Sequence, residues 1–155
     1  MNAFLLVGLG GAIGSMARYG SGVLVGRVWS SSFPLATMLV NISGSLIMGL
    51  FIGYLARTTP AWQADARLFF AVGVLGGFTT LSSFSLDTVA LIERGELTQA
   101  AAYVLGSVVI SILALFVGLL IMRAGAAWAD RASRPSLAKK TACGSTAGSA
   151  CTFRR

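Results

Sequence analysis

A chain of 155 residues that is 55% hydrophobic and only 11% charged, with a mean hydropathy of +0.80, lies outside the range of soluble domains of this size. The net charge of +7, from 12 Lys and Arg against 5 Asp and Glu, comes with no motif or aromatic platform for bases, so it speaks for membrane topology and a basic tail and against nucleic-acid binding. Histidine is absent and the two cysteines, Cys143 and Cys151, sit near the C-terminus, which leaves the apolar part without a disulfide framework, the usual metal ligand or the usual proton shuttle.

The first apolar run, Asn2 to Gly26, has no basic region ahead of it and is too long for a signal peptide, so it reads as a membrane span. Gly10, Gly14, Gly22 and Gly26 recur with Arg18 in the intervening slot, a small-residue ridge that lets another helix approach closely. Arg18 itself needs a partner or a water path, or it must snorkel to the headgroups. Val28 to Pro34 forms a short serine-containing connection. The second span, Leu35 to Ala56, carries no charge, yet Thr37, Asn41, Ser45, Gly49 and Gly53 repeat every four residues along one slanted face. Ser45, Gly49 and Gly53 suit helix contact, whereas Asn41 asks for several hydrogen-bond partners.

Arg57 to Arg67 is a polar connection, and the span after it is unusual. Its uncharged run extends from Leu68 to Leu86, or to Ile92 with Asp87 allowed inside, long enough at ~1.5 Å per residue to cross a ~30 Å hydrocarbon core. Near its middle stands Gly76-Gly77-Phe78-Thr79-Thr80-Leu81-Ser82-Ser83-Phe84-Ser85, too rich in glycine and hydroxyls for an ordinary helix. A membrane helix broken near the bilayer midplane is expected. Unpaired backbone groups at that depth cost several kcal/mol each, so such a break survives only when buried in protein or lining a wet cavity. Freed carbonyls suit a cation and freed N–H groups an anion, which leaves both signs of ion open. Leu81 and Phe84 share a face just after the break, and Asp87 lies at a depth similar to that of Arg18, so the two are expected to pair or to share a polar vestibule.

Glu93 to Leu97 marks a turn, and the fourth span runs from about Thr98 to Met122 without a charge. Tyr103, Ser107 and Ser111 repeat along it as a line of hydroxyls, unless the serines bond their own helix. The expected organisation is a transmembrane domain over residues 1–126 and a basic, disordered tail over residues 127–155. With four spans, Arg57, Arg67 and Arg123 face one side and Arg27 and Arg94 the other, so the core has almost no orientation bias. A chain so balanced can insert both ways, and its polar lines call for a partner to bury them.

The motif from Gly76 to Ser85, with Gly10-Gly11-Ala12-Ile13-Gly14-Ser15 and Arg18 before it and Val40-Asn41 between, resembles the Fluc (CrcB) family of bacterial fluoride channels over Met1 to about Arg123. The resemblance implies an all-α membrane protein that forms an antiparallel, dual-topology homodimer with two pores and exports fluoride passively across the bacterial inner membrane, relieving its toxicity. It also implies a structural Na⁺ at the dimer axis, held by main-chain carbonyls that correspond to Gly76 and Thr79. Asn41, Phe84, Tyr103, Ser107 and Ser111 would line the pore. The family motif usually has phenylalanine where this chain has Leu81, and threonine at Ser83. An aromatic edge carries positive potential and leucine does not, so half of the family's aromatic arrangement is missing.

The residues support the same mechanism without the family. Fluoride is small and strongly hydrated, and Asn41, Thr80, Tyr103, Ser107 and Ser111 replace its water with neutral donors that also let it leave. A small dual-topology multidrug exporter would need a carboxylate in the first span, and Asn2 to Gly26 has none. A non-transporting membrane subunit is the third reading. An enzyme is not expected, because the spans hold neither a nucleophile–base pair nor a metal set.

Overall fold

The computed structural model describes residues 2–29 and 31–133, all helix and short connection. Helix α1 runs Ala3–Val28 and α2 runs Leu35–Thr58. A third helical stretch, Gln63–Glu93, is composite: α3 (Gln63–Ala66), a π-helix (Arg67–Leu75), a single turn α4 (Gly76–Phe78) and α5 (Leu81–Glu93). Helix α6 covers Leu97–Ser133. Four of these stretches are long and apolar enough to cross a membrane, so this is a multi-pass membrane protein.

The ends of the helices follow local chemistry. Thr59 closes α2 in the left-handed region at φ 36°, its N–H bonded to the Leu55 carbonyl, and Pro60 prevents continuation. At the end of α5, Gly95 takes φ 76° and donates to Ile92 while Glu96 donates to Leu91, a paired arrangement that satisfies two carbonyls the helix leaves open. Helix α6 passes the boundary expected at residue 126: residues 127–133 are helical, in keeping with the alanines at 124, 126, 127, 129 and 132. The remainder of the expected disordered tail, with Cys143 and Cys151, lies outside the described residues.

Packing within Met1–Arg123 rests on glycines that bring backbones together. A methyl group on Gly10 would lie 2.5 Å from the Phe69 carbonyl oxygen, one on Gly14 would strike the Val74 carbonyl, and one on Gly77 would lie 2.6 Å from that of Gly11. The contacts climb both helices together, from Gly10 at Phe69 and Gly73 to Gly14 at Val74 and Phe78, so α1 and the third stretch run parallel. Gly49 and Gly53 do the same for α2 against Leu115 and Met122 of α6. Elsewhere large apolar side chains stay uncovered, among them Phe4, Leu9 and Ile13 on α1 and Leu113 and Phe116 on α6, as lipid-facing or partner-facing surface requires.

Candidate functional site: a hydroxyl-lined cavity beside Thr79 and Thr80

Between α4 and α5 the chain leaves helical geometry for two residues. Thr79 has φ −75° and ψ 153°, Thr80 φ −150° and ψ 118°. Extended residues inside an apolar stretch strand backbone groups, and Asn41 on α2 recovers two of them. Its Oδ1 accepts from the Thr80 N–H at 2.9 Å and its Nδ2 donates to the Thr80 carbonyl at 3.2 Å. An amide carries a donor and an acceptor on one planar group, so Asn41 spans one residue's N–H and C=O. Thr80 in turn caps α5: its Oγ1 accepts from the Ser83 N–H at 3.2 Å and lies 3.1 Å from the Ser82 hydroxyl and 3.3 Å from that of Ser83. Thr79 turns back, donating from N and Oγ1 to the Leu75 carbonyl, both at 2.9 Å. Its methyl group and the Phe78 ring fill the space that Gly44 leaves on α2.

Beside this junction lies a cavity of about 410 Å³ bounded by α2, α5 and α6. Asn41, Thr80, Leu81, Phe84, Ser107 and Ser111 line it. Several serines and threonines elsewhere in the helices bond back to their own backbone, among them Ser21 to Ala17, Thr58 to Tyr54, Ser85 to Leu81 and Thr88 to Phe84. Ser107 and Ser111 do not. Their hydroxyl oxygens are buried and without a hydrogen-bond partner, so each retains a free donor in a largely apolar setting. Such a wall offers a small, strongly hydrated anion hydroxyl donors with no fixed positive charge.

Five of the six side chains expected to line a pore, Asn41, Thr80, Phe84, Ser107 and Ser111, border this cavity; Tyr103 does not. Tyr103 is fully buried, and its hydroxyl donates to Asp87 Oδ2 at 3.3 Å while its ring lies 5.1 Å from that of Phe84. Leu81 is 76% exposed at the cavity wall, bulk without an aromatic edge.

Arg18 and Asp87 occupy different surroundings. Arg18 lines a second cavity of about 320 Å³ with Thr37, Thr80 and Ser83, whereas Asp87 Oδ2 takes hydrogen bonds from Thr37 Oγ1 at 2.7 Å and from Tyr103. Thr37 connects the two, bordering the cavity of Arg18 and donating to Asp87. Thr37 and Ser83 were not among the side chains expected to line the pore or the vestibule. Thr37 stood in the same four-residue series as Asn41, which was the available signal. Thr80 borders both cavities and so forms the wall between them.

Gly76 and Thr79 carry the carbonyls proposed for a cation. Among the described residues, no N–H outside the regular helices and no side chain donates to either. Neutral carbonyl oxygens with free lone pairs suit a hard monovalent cation, so the donor set fits Na⁺, though one chain supplies only part of a coordination shell.

Comparison with known proteins decides the family. Residues 5–119 match the family model described as CrcB-like protein, Camphor Resistance (CrcB). The chain belongs to the CrcB family. Similar curated proteins include Fluoride-specific ion channel FluC 2 of Nitrobacter hamburgensis, 48% identical over 77% of this chain and 96% of the relative. Fluoride-specific ion channel FluC of Paracoccus denitrificans is 51% identical over 79% and 95%, and that of Agrobacterium fabrum 52% identical over 76% and 94%. The matched part of this CrcB chain contains both cavities and the junction at Thr79 and Thr80.

Proposed function

We infer that this CrcB-family chain is a subunit of a fluoride-specific ion channel. The observation that carries the reading is the cavity with two buried, unpartnered serine hydroxyls in a chain about half identical to proteins named as such channels. Neutral donors exchange for the water of a small anion, and the absence of a fixed charge at the cavity wall lets it depart. Asn41 and Thr80 form the wall at the junction, Phe84 offers an aromatic surface, and Ser107 and Ser111 supply hydroxyls along α6. Tyr103 takes its place one layer back, behind Phe84. Passive export of cytoplasmic fluoride across the bacterial inner membrane is the biological role this chemistry serves.

The assembly that completes the site is an antiparallel, dual-topology homodimer with two pores. Its support is the balance of Arg27 and Arg94 against Arg57, Arg67 and Arg123, together with the uncovered apolar faces of a single copy. In that arrangement the interruption at Thr79 and Thr80 lies near the bilayer midplane, and the carbonyls of Gly76 and Thr79 from two copies hold a structural Na⁺ at the axis. The ion's contribution is to tie the two interrupted stretches together. Arg18 and Asp87 contribute to a polar vestibule through Thr37 rather than by direct pairing.

Fluoride efflux from liposomes tests the reading. The wild type is expected to release fluoride and retain chloride, Phe84→Ile to lose efflux, and Leu81→Phe to match or exceed the wild type. Chloride release at a comparable rate, or vesicles that hold their fluoride, would overturn it.

A further inference from the structure

The aromatic chain behind the cavity begins outside the spans. Phe33, in the connection between α1 and α2, lays its ring edge-on to Tyr103, with centroids 5.8 Å apart and planes at 88°. Tyr103 continues to Phe84 at 5.1 Å, and Phe84 borders the cavity. Phe33 is not carried there by a helix. Its carbonyl accepts from the Leu35 N–H at 2.8 Å across Pro34, whose φ −78° and ψ 59° close a three-residue turn, and its N–H donates to Ser31 Oγ at 3.3 Å. Proline fixes φ, so the turn is set before the helix begins and holds the ring in one place.

We propose that Phe33 is a positioning residue of the conduction path: it fixes Tyr103, and through Tyr103 both the Phe84 ring and the hydrogen bond to Asp87. Tyr103 is fully buried, and its hydroxyl reaches Asp87 at 3.3 Å, a long O–H···O contact. A bond at that length tolerates little displacement. Phe33 packs on the cluster formed by Leu91, Ala100 and Tyr103, together with Met38 and Phe84, so its ring bears on the tyrosine from the connection side while Phe84 bears on it from the cavity side. Edge-to-face pairing is directional, and an aliphatic side chain of similar bulk does not reproduce it. The proposal rests on the channel reading, since Phe84 matters only if the cavity conducts.

The test is a double-mutant cycle read as fluoride efflux from liposomes, using Phe33→Leu, Tyr103→Phe and the pair. Wild-type efflux in the same preparation reports separately on the channel reading, and a silent wild type would defeat that reading first. With wild-type efflux present, Phe33→Leu is expected to slow it roughly three- to tenfold, the scale of one aromatic pair. Phe33→Trp is expected to restore most of it. In the Tyr103→Phe background, Phe33→Leu should add less than it does alone, because the part of its effect that runs through the hydroxyl is already gone while the part that runs through the Phe84 ring remains. Undiminished efflux in Phe33→Leu, or fully multiplicative effects in the pair, would overturn the proposal. Size-exclusion chromatography of each variant guards against misassembly, and if Phe33→Leu does not assemble, Phe33→Met takes its place in the cycle under the same criteria.

Discussion

Two seams of this molecule are built from small residues and serve opposite ends. Along α1, the π-helix and α4, Gly10, Gly14 and Gly77 put backbone against backbone, leaving no room for a methyl group and none for water. Between α2, α5 and α6, serines, threonines and Asn41 instead border about 410 Å³ of open space among larger apolar side chains, and two hydroxyls there bond to nothing. The difference lies in what stands opposite each small residue. A glycine facing a carbonyl is a packing device, whereas a serine facing a cavity is a spare donor.

That contrast orders the consequences of substitution. The largest effect is expected in the closed seam: Gly14→Leu places a side chain on the Val74 carbonyl, and because overpacking costs ~1–3 kcal/mol even where neighbours can yield, the variant should fail to elute as a single assembled species in size-exclusion chromatography. At the boundary between the two seams, Asn41→Ala removes both hydrogen bonds to Thr80. Stranding that N–H and C=O costs ~1–3 kcal/mol apiece, so thermal stability in detergent should fall and fluoride efflux should be lost with it. If the protein melts normally, the clamp on Thr80 is not what supports the interruption. The smallest effect on stability is expected in the open seam. Ser107→Ala and Ser111→Ala break no hydrogen bond, so melting should change by no more than ~0.5 kcal/mol while fluoride efflux declines. A drop in stability equal to that of Asn41→Ala would show that these hydroxyls are structural.

The four membrane spans, the special character of residues 76–85 and most of the residues around the cavity were legible in the sequence, because hydropathy and i+4 spacing are local properties of a helix. Tyr103, Ser107 and Ser111 read as one continuous line, and that was true of their spacing but not of their surroundings. Tyr103 is drawn away by Asp87 and by the rings of Phe33 and Phe84, partners 16, 70 and 19 positions distant in the chain. The relation of Arg18 to Asp87 was similarly underdetermined, since equal depth does not say which neighbour stands between them. Thr37 does.

By itself, then, the sequence determined that the chain has four stretches long and apolar enough to cross a membrane, that the third of them contains helix-breaking and hydroxyl-bearing residues at mid-length, and that no fixed charge lies among the candidate donors on α6. Composition and period suffice for this because each helix in lipid must satisfy its own backbone. Only the tertiary structure decided which polar groups are already spent. Asn41 is committed to Thr80, Thr37 and Tyr103 to Asp87, and Ser107 and Ser111 to nothing. Whether a donor is free for an ion depends on what another helix brings within about 3 Å of it, a distance set by packing between segments and not by any periodicity within one.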